Sequence, residues 1–376
     1  MSEILVRPVK TRKERRIFLN FPWQIYQNDH LWVPPLMPDM QERIDRKRGV
    51  FFKRGEADFF IAWRDGEPVG TICAAEDRQS NAERGDRECM FGFFNFVEDY
   101  AVMEALLGRV RDWARSRDLH SLTGPYNLDY EDSYGILVEG RDRPPVLMCG
   151  HTPPYYLDFV ERYGFQPARG DNIAFEFDLT KRIDAIEKVR RMAEWVRRRR
   201  NFIVRSADLD HWEAELEKIY VLLNRSLSHL PDYRSWPREV VFNSLAPFRK
   251  IVDPDLVLFA EEGGETVGWL PGIPNLNEVF IHVNGLRKPW DYLKLFYYMR
   301  RQTECLSMKS VLVPQDYWGS GVAILLFDEM YRRALAHGYK WIDGSLTSDD
   351  NPNTPALAAR FGATVYKRYR AYRIKI

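Results

Sequence analysis

Two glycines stand where a strand-prone run meets a helical one. Ser310-Val311-Leu312-Val313 leads to Gly319-Ser320-Gly321, and an apolar-periodic helix is predicted from Val322 to His337, stopped at Gly338. Glycines let backbone N–H groups approach an anion closely, and the start of a helix adds the positive end of its dipole. The chemistry such a turn supports is phosphate binding. Cations offer a second candidate: Arg190-Arg191 and Arg197 to Arg200 lie on a predicted helix from Ile183 to Arg200. A solvated helix face is the preferred reading, with phosphate contact as its alternative. The terminal run Tyr366-Lys367-Arg368-Tyr369-Arg370-Ala371-Tyr372-Arg373 interleaves basic and aromatic residues. Such a pattern can grip RNA or a nucleotide phosphate, but a sheet strand with one aromatic and one basic face accounts for it and is preferred.

The elements that must position these residues come in two sets. Ala62, Gly66, Glu67, Val69 and Gly70 recur as Ala260, Gly264, Glu265, Val267 and Gly268, 198 positions on, and Arg162-Tyr163-Gly164 recurs as Arg360-Phe361-Gly362. Hairpins are predicted at Asp58 to Glu76, with Asp65-Gly66 as the turn, and at Leu256 to Leu270 around Gly263-Gly264. A strand from Met90 to Val97, a helix from Val102 to Leu119 and strands at His120 to Thr123 and Asn172 to Leu179 complete a first copy, residues 1–180. The second copy, 181–376, holds a strand at Phe202 to Arg205, helices at His211 to Leu230 and Pro237 to Ile251, a possible strand at Asn277 to Val283, and an aromatic helix at Trp290 to Gln302. A strand at Lys340 to Gly344, a helix opened by Asn351-Pro352 and a terminal strand from Thr364 to Ile376 follow. The fold class is α/β, two mixed sheets flanked by helices.

A chain of 376 residues with 45% hydrophobic and 29% charged residues suits two folded domains. A net charge of +1 gives no global field to draw in nucleic acid, so nucleic acid is not an expected partner. Cys73, Cys89, Cys149 and Cys305 lack zinc-site spacing, so buried free thiols and no metal are expected. Met1 to Arg16 has no signal-peptide core and no stretch is long enough to span a bilayer, so a cytoplasmic protein is expected. Phe18, Phe21, Trp23, Tyr26, Trp32 and Pro34-Pro35 form an apolar segment, either core packing or one wall of a cleft.

Val311-x-Val313-Pro314, Gly319-x-Gly321, then helix, strand and Asn351-Pro352 through Leu357 to Gly362, resembles the GCN5-related N-acetyltransferase (GNAT) family in tandem form. Gly124-Pro125-Tyr126-Asn127 and Pro153-Pro154-Tyr155-Tyr156 are similar to an uncharacterised bacterial branch of tandem members. The resemblance implies acetyl-CoA or another acyl-CoA as co-substrate, held by Val311, Val313, Gln315, Gly319, Ser320, Gly321, Val322 and Asn351. It implies an acyl transfer to an amine of a small molecule or peptide in the cleft between the copies. Asp343, Glu304 and Glu278 are then candidate bases, and Tyr366 or Tyr317 stands in for the family's proton-donating tyrosine, whose position holds Ala358. Asp316 occupies a loop position usually held by Gln or Arg. In the first copy Glu98 and Asp99 stand at the helix start and Pro153 and Val160 replace the Asn and Tyr, which implies a supporting copy without cofactor. Tyr126, Tyr130 and Tyr155 suit a partly apolar acceptor. An aminoacyl-tRNA-dependent peptidyltransferase-like protein and an inactive acyl-CoA binder stay open as alternatives, and so does the choice of monomer or homodimer.

Overall fold

The computed structural model describes residues 3–128, 132–181, 184–228, 235–250, 252–350 and 353–376. Asn351 and Tyr130 lie outside the described residues. The strands are, in chain order, β1 (Ile4–Pro8), β2 (Gly55–Arg64), β3 (Glu67–Asp77), β4 (Glu88–Phe96), β5 (Ser121–Gly124), β6 (Ile136–Glu139), β7 (Gln166–Pro167), β8 (Asn172–Asp178), β9 (Ile203–Ser206), β10 (Val257–Glu262), β11 (Glu265–Pro274), β12 (Cys305–Met308), β13 (Trp341–Ser348), β14 (Thr364–Arg370) and β15 (Tyr372–Lys375).

They form two mixed sheets, in the orders β1-β2-β3-β4-β5-β15-β7 and β6-β14-β8-β13-β12-β11-β10-β9. The first sheet therefore takes one strand, β15, from the other half, and the second takes two, β6 and β8. The last strand of the chain, β15, inserts between β5 and β7, while β8 inserts between β13 and β14. A boundary at residue 180 separates the sequence copies but not the sheets.

The repeated residues have a common physical role. Asp65 and Gly66 (φ 51° and 83°) turn the first hairpin, and Gly263 and Gly264 (φ 59° and 90°) turn the second, the left-handed pair a two-residue hairpin needs. A bulge follows Ala62 in one and Ala260 in the other. Gly70 and Gly268 face a helix closely. A Cβ on Gly70 would sit 2.8 Å from Leu106 of the helix Tyr100–Arg115, and one on Gly268 2.8 Å from Val322 of the helix Val322–Ala336. Only a glycine lets each helix settle this near its sheet.

Three sequence expectations need correction. Asn277–Phe280 is helical, because Asn275 Oδ1 accepts from the Asn277 amide and starts a turn that apolar content alone does not reveal. Ser310 to Val313 is no strand: β12 ends at Met308, and only Leu312 bridges back, to Trp269. The terminal run is two strands in different sheets, parted at Ala371. The cations of the first strand are not a solvated face, whereas Arg373 of the second is exposed. Lys367 is fully buried, and Arg368 and Arg370 are paired to Asp171. All four cysteines are buried free thiols.

Candidate active site

Both sheets open at the same place. In the first, β4 and β5 run parallel from Glu88–Ser121 to Met90–Thr123 and then separate. In the second, β12 and β13 run parallel from Cys305–Trp341 to Met308–Gly344 and then separate. A bulge marks each opening. Cys73 pairs Gly92 and Thr71 pairs Asn95, an extra residue on β4. Gly272 pairs Met308 and Trp269 pairs Leu312, an extra residue after β12. A bulge turns amides away from the ladder and toward the gap.

The first gap is filled by its own chain. The amide of Phe93, at the bulge, donates to Asn127 Oδ1 at 2.7 Å, and the amide of Tyr126 to the Phe91 carbonyl at 2.7 Å. Further along β4 the Phe96 amide donates to the Tyr156 hydroxyl (3.0 Å), and the Tyr155 hydroxyl donates to the Phe96 carbonyl (2.5 Å). The adjacent helix start is closed as well. Asp99 accepts from the Ala101 amide at 2.9 Å, and Arg64, at 2.5 Å, holds its carboxyl below the usual range. Among the described residues, Phe91, Phe93 and Phe96 of this edge are thus engaged by their own chain.

The second gap differs at each point. Among the described residues, no backbone carbonyl accepts from the amides of Lys309, Ser310 or Val311. The helix beyond carries a glycine, Gly321 (φ 100°), where the first carries Asp99. Ser320 donates to the Tyr317 carbonyl at 2.6 Å and folds the loop onto itself, and Gly319 (φ 75°) has open space beside it. Gln315 is exposed in a short 3-10 turn, and Val311 and Val313 pack partly on the core. The charge of Asp316 is met by Arg225, which removes the repulsion a bare carboxylate would present to a phosphate. The helix Asp184–Arg199, which links the copies, reaches this loop. A Cβ on Gly321 would stand 2.5 Å from Val196, so the basic end of that helix, Arg198 to Arg200, lies about one turn away.

Below the opening lies a buried polar cluster. Asp343, with no solvent exposure, accepts from Ser307 (2.5 Å), Ser345 (2.7 Å) and Lys309 (3.2 Å) on Oδ2 and from Tyr366 (2.8 Å) on Oδ1. Lys309 also donates to Ser345 at 2.8 Å, and Cys149 Sγ lies 3.5 Å from the same hydroxyl. Burial works against the charge of Lys309, but Asp343 outweighs it, and the ammonium is held above its ordinary value. Burial and then Asp343 push the Tyr366 hydroxyl well up, so it stays protonated and donates. The apolar surroundings come from both copies, with Tyr126, Tyr134 and Cys149 joining Cys305, Tyr366 and Tyr369 in one core. On the opposite side of the sheet, Phe177, Val189, Phe327, Met330, Ile342 and Met308 line a small apolar pocket.

The structure thus brings Asp343 and Tyr366 together and keeps Glu304 apart. Glu304 is exposed, paired to Lys340, and precedes β12 at the end away from the opening. Glu278 caps the start of β12, accepting from the amides of Glu304 (2.7 Å) and Cys305 (3.0 Å). Tyr317 donates to Glu262 at 3.1 Å, and Ala358 is buried against Ile173 and Phe175. Ser307, Lys309 and Ser345 were not among the sequence candidates. Their alternation with apolar neighbours on strand-prone runs was the one signal available. Also unforeseen is His151, which lies 2.8 Å from Asp29 through Nε2 and whose Nδ1 is enclosed without a partner among the described residues. Burial lowers its pKa and keeps the ring neutral, with Asp29 opposing.

Solved structures resemble this fold across nearly the whole chain. A tandem GNAT protein from the clavulanic acid biosynthesis pathway matches 99% of this chain and 98% of its own, with a TM-score of 0.57 at 12% identity. A GCN5-related N-acetyltransferase from Sphaerobacter thermophilus matches 99% and 95%, with a TM-score of 0.53 at 14% identity. The chain has the tandem GNAT fold. No protein-family profile matches the sequence. Curated relatives include a bacterial ceramide synthase of Caulobacter vibrioides, 27% identical over 99% of this chain and 97% of the relative, and protein YghO of Escherichia coli, 24% identical over 99% and 95%. Within this fold the strand opening of the first copy is filled by its own side chains, and that of the second is not filled in this way.

Proposed function

We propose that the chain is an acyl-CoA-dependent N-acyltransferase that binds acyl-CoA only in its second copy. One observation carries this reading: the same strand opening is filled by Asn127, Tyr126, Tyr155 and Tyr156 in one copy and offers unengaged bulge amides in the other. An extended pantetheine chain would add to that edge by backbone hydrogen bonds, beside Val311 and Val313. Its phosphates would meet the amides of Gly319 to Val322 and the cations Arg198 to Arg200. Asn351 completes the proposed set.

The reaction is attack of an amine nitrogen on the thioester carbon. A C–N bond forms, the C–S bond breaks, CoA leaves as thiolate, and the ammonium proton must be taken up. The bulge amides at Lys309 to Val311 suit the developing oxyanion. Asp343 is proposed to accept the proton through the Tyr366 or Ser345 hydroxyl, each already bonded to it. Glu304, tied to Lys340, has no part in this proposal. The name of the Caulobacter relative supports an acceptor like that of ceramide formation, a long-chain amino alcohol.

Isothermal titration with a long-chain acyl-CoA tests the reading. The expected result is one site per chain, with a raised melting temperature and weaker binding by Arg199→Glu/Arg200→Glu. Two sites per chain, or no binding at millimolar acyl-CoA, would overturn it. With acyl-CoA and a long-chain amino alcohol together, free thiol should appear.

A further inference from the structure

The connection from β11 to β12 contains a helix, Pro289–Tyr298, whose composition is opposite to what its exposure would suggest. Trp290, Tyr292, Leu293, Phe296 and Tyr297 are 54%, 50%, 73%, 61% and 54% exposed, and Met299 just beyond is 42% exposed. Isolated exposed apolar residues are ordinary, but six within ten positions form a continuous patch, which marks a surface that something covers.

The charges around the patch have one sign. Arg287, Lys288, Lys294, Arg300 and Arg301 are all exposed, while the one acid of the segment, Asp291, is 1% exposed and accepts from the Lys288 amide at 2.9 Å. The cations lean over the rings: Arg300 lies 4.0 Å from the centroid of Phe296, Arg301 4.6 Å from that of Tyr297, and Lys288 5.1 Å from that of Trp290. The base of the helix is held firmly. His282 stacks on Tyr298 at 4.1 Å, Asn284 accepts from the Trp23 indole at 2.7 Å, and Asn277 donates to the carbonyls of Pro145 and Val146. The patch is thus displayed on a fixed support.

We propose that this helix docks the protein on the surface of an anionic phospholipid bilayer. Its rings and Leu293 would enter the boundary between headgroups and acyl chains, and its five cations would face the lipid phosphates. Aromatic side chains with long cations beside them are what that boundary accommodates. A second copy of the chain fits less well, because a two-fold contact would set the five cations against their own counterparts. No described helix is long and apolar enough to cross a membrane, so the contact is peripheral.

Co-sedimentation of the full chain with vesicles is the test, and it is independent of acyl transfer. Vesicles of phosphatidylglycerol and phosphatidylcholine should bind the protein, phosphatidylcholine alone far less, and higher salt should weaken the binding. Leu293→Glu/Phe296→Glu should lower the affinity roughly tenfold or more, the scale of one lost apolar side chain. Lys294→Glu/Arg300→Glu should remove the preference for the anionic lipid. These side chains are exposed, and unchanged melting curves will verify that the variants fold. Equal sedimentation of wild type and Leu293→Glu/Phe296→Glu would overturn the proposal. So would a wild type that stays in solution, or one that forms a dimer which the same variant breaks.

Discussion

Asp343 and Lys309 show how one carboxylate can organise the meeting point of two strands and two copies. Taken singly, a fully buried charge is costly, and here four donors, one of them the counter-ion Lys309, offset that cost. Asp343→Asn should therefore destabilise the protein by about 3–5 kcal/mol, since it leaves the ammonium unbalanced and turns an amide donor toward other donors. Lys309→Met should also destabilise. The double variant should cost less than the sum of the two, and chemical denaturation of all four proteins measures the difference. A strictly additive result would mean that the pair is not coupled. The sequence singles out Asp343 as a carboxylate in a strand-prone run and Tyr366 as one tyrosine of the terminal run, and the structure joins the two by a hydrogen bond. Their partners were not legible in the sequence, since Lys309, Ser307 and Ser345 meet Asp343 only through the register of β12 with β13 and the sharp separation after Met308.

At the scale of elements the two strand openings are one design put to two uses, and Gly92 decides the use of the first. A side chain there would overlap the Tyr126 carbonyl, which lies inside the gap. Gly92→Ala should cost about 3 kcal/mol, the upper end of the overpacking range, or expel the segment Pro125 to Leu128. Gly150→Ala is the comparison, because its nearest neighbour would be 3.4 Å away, an ordinary contact, and differential scanning calorimetry should find it close to wild type. The hairpins and the helix after Gly321 were legible, since turn glycines and helical spacing are local signals. Elements set by distant partners were not. Ser310 to Val313 has the composition of a strand yet bulges out of the ladder. Nothing in the alternation of Thr364 to Ile376 tells that the chain changes sheets at Ala371, because both halves of the run read as strand and no turn residue parts them.

On the scale of the molecule, exchange of β8 and β15 makes each copy structurally dependent on the other. Residues 1–180 alone would leave β5 and β7 without the strand between them, and residues 181–376 alone would part β13 from β14. Expressed separately, the two pieces should show no cooperative thermal transition by circular dichroism, and co-expressed they should recover one. A sharp transition in either piece alone would show that the exchanged strand is dispensable. The inter-copy core around Tyr366 and Tyr369 is a further product of this exchange, since β14 and β15 carry the chain from one sheet directly into the other.

The exchange also sets an order in time. A ribosome delivers residue 167 long before residue 372, so the facing edges of β5 and β7 stay unpaired throughout synthesis of the second copy. The half that is made first is the last to be finished. Until Tyr372 to Lys375 emerge, the nascent chain displays open strand edges of the kind that recruit wrong partners. Chaperone demand during translation, rather than the stability of the finished protein, is where a change in this short final strand would be felt first.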